Sequence, residues 1–449
     1  MRVLLAPHFF PPGHPGGTEA YTFNLARMLQ RAGHEPFVIC AEDWGSGDRW
    51  QPRHQDGVHE GIPVRRLFFN WEHAPDPWVN SYDNPATERH VERYLRELRP
   101  DVLHVTSCYS LGAGIFRAAR RVGVPTFLTL TDFWFLCPRH TLRRSDGSLC
   151  AGPESAVGCQ KCVAAEAPIY RALTSVLPPD LAARGLVELS RWPAIARRRG
   201  LRGWVGDTGA RLAFLRRAFD SVELAFAPSR FLMETFVRHG FPADRIKLSP
   251  YGLETAWLDD VRPRDPSAPL VVGYAGQIEP IKGVDLLVRA FRSLPADRPI
   301  ELRIHGDLSK NRQFGATLRQ LVGDHPAIRL AGPFERAQLA EVMSGLDVLV
   351  VPSTWYENSP VVISEALAAG RPVIATDLGG MRDLVEHEVN GLLFELGDVA
   401  GLARQIGQFA ADPALRERLR RGIRPVRTID QEVVDLVAAY RAAAARTAA

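Results

Sequence analysis

The chain has 449 residues, of which 46% are hydrophobic and 24% charged, with a formal net charge of +4. That length exceeds one ordinary core and the composition is that of a globular protein, so two domains are expected and a secreted disulfide scaffold is excluded. So small a charge gives no reason to expect nucleic acid, and no stretch nears the ~20 apolar residues that span a bilayer.

The first residues, "MRVLLAPHFFPP", hold an apolar run too short for a signal peptide, and a cytoplasmic chain is expected. "RVLLA" reads as a strand and "PHFFPPGHPGG" as a loop. "TEAYTFNLARMLQRAG" reads as a helix with Thr18 at its N-cap, and "EPFVIC" as the next strand. "DVLHVTS" and "PTFLTLT" follow as strands around the helical "LGAGIFRAARRVG". Near residue 270 the pattern restarts with "LVVGYAG", "QIEPIKG" and "VDLLVRAFRSL", then "IELRIHG", "IRLAG", "DVLVVPS" and "GLLFEL". Strands alternating with helices predict βαβ units and parallel sheets. The reading is α/β with two Rossmann-like domains, 1–250 and 251–430, and a terminal helix at 431–449. The linker falls near 248–268, where Pro, Gly and charge concentrate.

Each half opens with a strand, a glycine-containing loop and a helix start. In "PPGHPGGTEAY", Gly16 and Gly17 let a ligand approach the backbone beside free helix amides. The spacing is not G-x-G-x-x-G, which disfavours a nicotinamide cofactor. In "AGQIEPIKG", Lys282 precedes Gly283 and a helix start, where the helix dipole is positive. A cation there is better placed if an anion, such as a phosphate, joins it.

The stretch "YENSPVVISEALAAGRPVIA" holds Glu357 and Glu365. Ser359 is the expected N-cap and Pro360 the first helical residue, with Gly370 closing the helix. Glu357 then lies at the carboxyl end of a strand, where open α/β sheets bind ligands. Glu365 lies inside the helix, about 9 Å further along its axis, too far for a shared-proton dyad. One ligand bridging both is expected, with helix amides at 360–362 on its phosphate. A carboxylate on the apolar face needs partners, and sugar hydroxyls would serve. "DLGGMRDLV" adds Gly379 and Gly380 after the following strand.

Taken together, Gly16-Gly17, Lys282-Gly283, Glu357-x7-Glu365, "EALAAGRPVIATDLGG" and "NGLLF" resemble the retaining family 4 glycosyltransferases of GT-B fold over nearly the whole chain. The resemblance implies two Rossmann-like domains facing a cleft, with the terminal helix crossing back to the first. A nucleotide-diphosphate sugar would sit on the second domain and a sugar, glycolipid or glycan acceptor on the first. It implies donor contacts from Gly16, Gly17, Gln277, Lys282, Glu357, Asn358, Ser359, Pro360, Val361, Glu365, Gly379 and Gly380. Within these, Glu365 would hold the ribose, Glu357 the sugar hydroxyls and Lys282 the diphosphate. Glu357, Lys282 and Asp132 would be the catalytic residues.

The chain departs from the family pattern twice. Gln277 stands where an arginine is frequent, and Thr131-Asp132 where His-Asp is frequent, so the identity of a catalytic base is open. Retention is implied by the family alone. The acceptor hydroxyl would attack the face the diphosphate leaves, giving its proton to the departing phosphate. No Asp-x-Asp metal motif is present, so no cofactor is expected to be required for catalysis.

Two segments stand outside this pattern. Cys137, Cys150, Cys159 and Cys162 lie close in sequence and suit a structural zinc, with free thiols, a disulfide or an iron–sulfur centre as alternatives. Residues 181–220 carry nine arginines against Glu188, Asp207 and Asp220, interleaved with Trp192, Trp204 and Phe214. The readings there are a solvated face or peripheral contact with an anionic membrane. Alternative functions are a sugar-nucleotide epimerase and a non-catalytic sugar-nucleotide-binding protein.

Overall fold

A computed structural model describes residues 1–448 apart from 15, 44–49, 166, 193, 195–205, 266–267 and 296–298. Trp204 and the arginines at 197–199 and 202 therefore lie outside the described residues. The chain divides into two compact units. The first comprises 1–228, 232–249 and 429–449; the second comprises 229–231 and 250–428.

Among the described residues the first unit carries eight strands: β1 (Arg2–Ala6), β2 (Glu35–Asp43), β3 (Arg53–His59), β4 (Ile62–Phe68), β5 (Val102–Val105), β6 (Thr126–Thr129), β7 (Leu224–Ala227) and β8 (Ile246–Leu248). They lie in the order β3-β4-β2-β1-β5-β6-β7-β8, all parallel except the β3–β4 pair. β1 and β5 are apolar runs buried on both faces, as a parallel strand covered by helices must be. The β3–β4 hairpin is not expected from sequence. β3 is exposed along its length and shows no apolar alternation, so its signal is the turn alone. Glu60 and Gly61 take φ of 47° and 81° in the two-residue loop that fits a twisted hairpin.

The second unit carries β9 (Leu270–Ala275), β10 (Ile300–His305), β11 (Ile328–Gly332), β12 (Val348–Val351), β13 (Val373–Thr376) and β14 (Gly391–Phe394). Their order is β11-β10-β9-β12-β13-β14, parallel throughout. Apolar residues cover both faces. Val288, Phe291, Ile406 and Phe409 lie in one cluster, and Met343, Leu346, Ile363 and Ala366 in the other.

In each sheet the chain order reverses beside the first strand of the unit. β1 lies between β2 and β5, and β9 between β10 and β12. Loops leaving the two strands at such a point diverge and leave a crevice at their carboxyl ends. Gly16 and Gly17 follow β1, Lys282 follows β9 and Glu357 follows β12, whereas Asp132 follows β6, Gly379 and Gly380 follow β13, and Glu365 lies within a helix.

Two helix starts differ from expectation. The helix Gly17–Arg31 is capped by Gly16, not Thr18, and Gly16 is extended with φ −138° and ψ 173°. The glycine cap has no side chain to bond the first amides, and the Glu19 carboxylate in the first turn accepts from its own amide and complements the dipole. The helix Val361–Ala368 begins one residue later than expected, with Pro360 at the N-cap and no side-chain cap. The terminal helix Ile429–Ala448 groups with the first unit. There Glu432 accepts from the Tyr21 hydroxyl at 2.9 Å, and Tyr440 is fully buried against His104 of β5. Among the described residues no helix is long and apolar enough to cross a membrane.

Candidate active site

The second unit brings Lys282 and Glu357 into contact. After β9 the chain makes a 3-10 turn, Pro280–Lys282, and Gly283 follows with φ +67°. A Cβ on Gly283 would stand 2.0 Å from the Pro352 carbonyl oxygen, so only glycine lets this turn press onto the loop after β12. The Thr354 amide then donates to the Ile281 carbonyl at 2.8 Å and locks the two loops together. That contact sets Lys282 Nζ at 2.7 Å from Glu357 Oε1. The same oxygen accepts from the Ser353 hydroxyl at 2.8 Å and the Trp355 indole N–H at 2.9 Å. Both charged side chains are mostly shielded, 22% and 9% exposed, and Lys282 also lies over the Trp355 ring. Neither charge could remain there without the other at low cost.

Gly379 and Gly380 close this loop from the far side. A Cβ on Gly380 would meet the Asn358 carbonyl oxygen at 1.7 Å, and the Gly380 amide donates to the Glu357 carbonyl at 2.8 Å. That amide is therefore engaged within the protein. Its effect is to hold the Glu357 backbone in place. Helix Val361–Ala368 leaves this loop with its first amides uncapped by any side chain. Gln277 is exposed, and its carbonyl accepts from the Tyr274 hydroxyl at 2.6 Å.

Glu365 is buried on the helix, as the sequence pattern requires. Its carboxylate is held by the guanidinium of Arg336, whose side chain is 52% exposed. The partner supplied by the protein is thus an arginine from the turn after β11, a residue the sequence reading did not single out.

In the first unit the loops after β1, β5 and β6 gather titratable side chains. His8 Nε2 lies 3.0 Å from Glu19 Oε1 in a shielded pair. Burial raises the Glu19 carboxyl, but the hydrogen bond and charge of His8 outweigh it and hold the group below its usual value. The Gly16 backbone packs on this carboxylate: a Cβ there would stand 2.2 Å from Glu19 Oε2. Gly17 differs, because a Cβ on it would meet nothing within 4 Å. Asp132, three residues past β6, accepts from the Trp134 amide at 2.7 Å, and burial pushes its carboxyl up. The Thr131 hydroxyl donates to the Thr106 carbonyl at 2.8 Å.

Cys137, Cys150, Cys159 and Cys162 all line one pocket and are free thiols. A short hairpin carries Cys150, and the helix Ala156–Ala164 carries Cys159 and Cys162. Burial and the neighbouring thiols push Cys159 up to about 12. The Cys150 thiol donates to the Gly152 carbonyl at 3.2 Å. As they stand, no three His, Cys, Asp or Glu side chains among the described residues are set to hold a metal ion.

Four residues of the site escaped the sequence reading. Ser353 and Trp355 lie within the "PSTWYEN" loop, where a donor close to a buried carboxylate is a usable signal. Arg336 stands 29 residues before Glu365 and His8 sits in a Pro-rich loop, and neither position has a local signature.

In both units the chain order reverses beside the first strand, the arrangement at which open α/β sheets bind ligands at the strands' carboxyl ends. Residues 269–412 match the family described as Glycosyl transferases group 1, and residues 16–252 match the Glycosyl transferase 4-like domain. The chain belongs to this family of glycosyltransferases. A GDP-mannose-dependent alpha-mannosyltransferase of Mycobacterium tuberculosis is 27% identical over 410 residues, covering 89% of this chain and 85% of its own. A D-inositol 3-phosphate glycosyltransferase of Jonesia denitrificans is 36% identical over 180 residues, 38% of this chain and 42% of its own. Sucrose-phosphate synthase of Thermosynechococcus elongatus superposes with a TM-score of 0.64 at 18% identity, over 99% of both chains. Anabaena HepE in complex with UDP gives 0.63 at 19% identity, over 98% of this chain and 100% of its own. The fold is the one these glycosyltransferases share, the GT-B class expected from sequence.

Proposed function

We propose that the chain transfers a hexose from a nucleoside-diphosphate sugar to an acceptor hydroxyl with retention of configuration, and that the second unit holds the donor. The observation that carries this reading is the contact between Lys282 and Glu357 at the carboxyl ends of β9 and β12. A diphosphate arriving there meets Lys282 and the uncapped amides at the start of helix Val361–Ala368. The sugar hydroxyls then take up the Glu357 carboxylate, and ribose hydroxyls share Glu365 with Arg336. Arg336 and the ribose would then both engage the Glu365 carboxylate.

In the chemical step the bond from the anomeric carbon to the phosphate oxygen breaks, and its electron pair stays on the phosphate. Lys282 and the helix amides stabilise that charge where it develops. The acceptor hydroxyl forms the new bond on the same face and passes its proton to the leaving phosphate. No residue of the second unit need act as a nucleophile in this sequence. Acceptor binding is assigned to the first unit, with Asp132 beside the loops after β1 and β5.

The naming of GDP-mannose in two relatives that align over most of their length makes that sugar the first donor to test. Purified protein incubated with GDP-mannose and with UDP-glucose should release nucleoside diphosphate from one of them. The product's anomeric coupling, read by NMR, should match the donor's. An epimerised donor without release of nucleoside diphosphate would favour the epimerase reading instead.

A further inference from the structure

Between β6 and β7 the chain leaves the sheet, and among the described residues the helices Ala156–Ala164, Pro168–Thr174 and Pro179–Ser190 come before a further helix, Thr208–Phe219. The helices make a small core of their own from Ala164, Tyr170, Ala182 and Leu186. The Tyr170 hydroxyl donates to the Pro179 carbonyl at 3.0 Å and closes the turn between the second and third helices. A core this small leaves large apolar side chains outside it. Of the eleven large hydrophobic residues exposed among the described residues, six fall within this short stretch: Leu173, Val176, Leu177, Leu181, Leu189 and Trp192. Val176 is 82% exposed and Trp192 is 65% exposed. Single exposed apolar residues are ordinary, but a concentration of them marks a contact surface.

The charges around this surface select the partner. Arg171, Arg184 and Arg191 are exposed among the apolar residues. The two acids on these helices are already met by cations, Asp180 by Lys161 at 2.9 Å and Glu188 by Arg191 at 3.0 Å. The sequence continues through Arg197, Arg198, Arg199 and Arg202 with no acidic residue between Glu188 and Asp207. Exposed apolar side chains before and along the helix Pro179–Ser190, an amphipathic tryptophan just past its end and exposed arginines among them match the layered chemistry of an anionic bilayer surface. A second copy of this chain would instead bring the same arginines against each other.

We propose that the Leu173–Trp192 segment rests on an anionic lipid surface, with Val176, Leu177, Leu181 and Trp192 at the acyl boundary and Arg171, Arg184 and Arg191 at the phosphates. The contact is peripheral, since among the described residues no helix is long and apolar enough to cross a membrane. It holds whatever sugar is transferred, so it stands or falls independently of the proposed reaction.

The test is co-sedimentation of the full chain with vesicles of phosphatidylcholine alone and of phosphatidylcholine with about one third phosphatidylglycerol. The expected result is at least roughly ten-fold more bound protein on the anionic vesicles, weakened by added salt. The double variant V176D/L177D should lose that binding. V58D, which alters a valine 72% exposed elsewhere in the first unit, should keep it. Thermal unfolding of each variant confirms that the fold is retained. Equal binding to both vesicle types, or full binding by a folded V176D/L177D, would overturn the proposal. So would gel filtration showing a dimer that V176D/L177D dissociates, which would make the face a contact between copies.

Discussion

Lys282 and Glu357 are joined across 75 residues by a 2.7 Å ion pair, with Ser353 and Trp355 donating to the same carboxylate oxygen. The two residues assigned to opposite ends of the donor's sugar–phosphate bond are thus already a pair in the protein alone. A diphosphate entering beside Lys282 takes part of its charge and leaves Glu357 a stronger acceptor for sugar hydroxyls. Donor binding and the ion pair are therefore linked through one oxygen.

Removing either partner leaves the other shielded and uncompensated. Lys282→Met should lower stability by ~2 kcal/mol, less than the ~3–5 kcal/mol of a fully buried pair because Lys282 is 22% exposed. The double variant K282M/E357Q should be less destabilised than the two singles summed, by ~1 kcal/mol or more. Urea unfolding of the four proteins in the cycle measures this. Strictly additive losses would show that the pair is not coupled.

Gly283 makes this geometry possible. Gly283→Ala combines a positive φ with a Cβ 2.0 Å from a backbone oxygen, so the turn must move. A loss of ~2 kcal/mol or more is expected, together with reduced turnover because Lys282 is carried away from Glu357. Thermal unfolding alongside a nucleoside-diphosphate release assay checks both effects. An alanine variant with wild-type stability and rate would contradict the close approach.

Gly16 and Gly17 look alike in sequence but should respond differently. Gly16→Ala forces the Glu19 carboxylate from its place beside His8 and should lower the melting temperature. Gly17→Ala meets open space, so its melting temperature should hold while donor turnover falls if the ligand occupies that space. Melting curves separate the two, and equal destabilisation by both would refute the distinction.

The first unit should be acid-labile. Burial drives His104 down to about 3 from its ordinary 6.5, so it is neutral when folded and binds a proton only on unfolding. The stability it contributes is complete above pH 6.5 and is lost as pH falls towards 3, by roughly 1.4 kcal/mol per pH unit. Unfolding free energies at pH 7, 6 and 5 should fall accordingly. His104→Gln should flatten the dependence, and an unchanged slope would place the proton uptake elsewhere.

Most sheet strands were legible because parallel strands covered on both faces read as unbroken apolar runs, as in "RVLLA" and "DVLVVPS", but the short β7 and β8, of four and three residues, were not. The β3–β4 hairpin was not, since β3 is exposed along its length and leaves no apolar period. Glu357 and Lys282 were legible from their places at strand ends and a helix start. Their contact was not, because it depends on Gly283 lacking a Cβ against Pro352. Arg336 shows the same limit: nothing local to its turn says that a buried carboxylate waits above it.

The most direct measurement of the central claim compares wild type and Glu357→Gln for nucleotide binding by calorimetry and for nucleoside-diphosphate release from the accepted donor. If Glu357 holds the sugar while Lys282 and the helix start hold the phosphates, the variant should bind nucleoside diphosphate within about three-fold of wild type. Its turnover should meanwhile fall by about a hundred-fold or more. Equal losses of binding and turnover would contradict the division of the donor between these two residues.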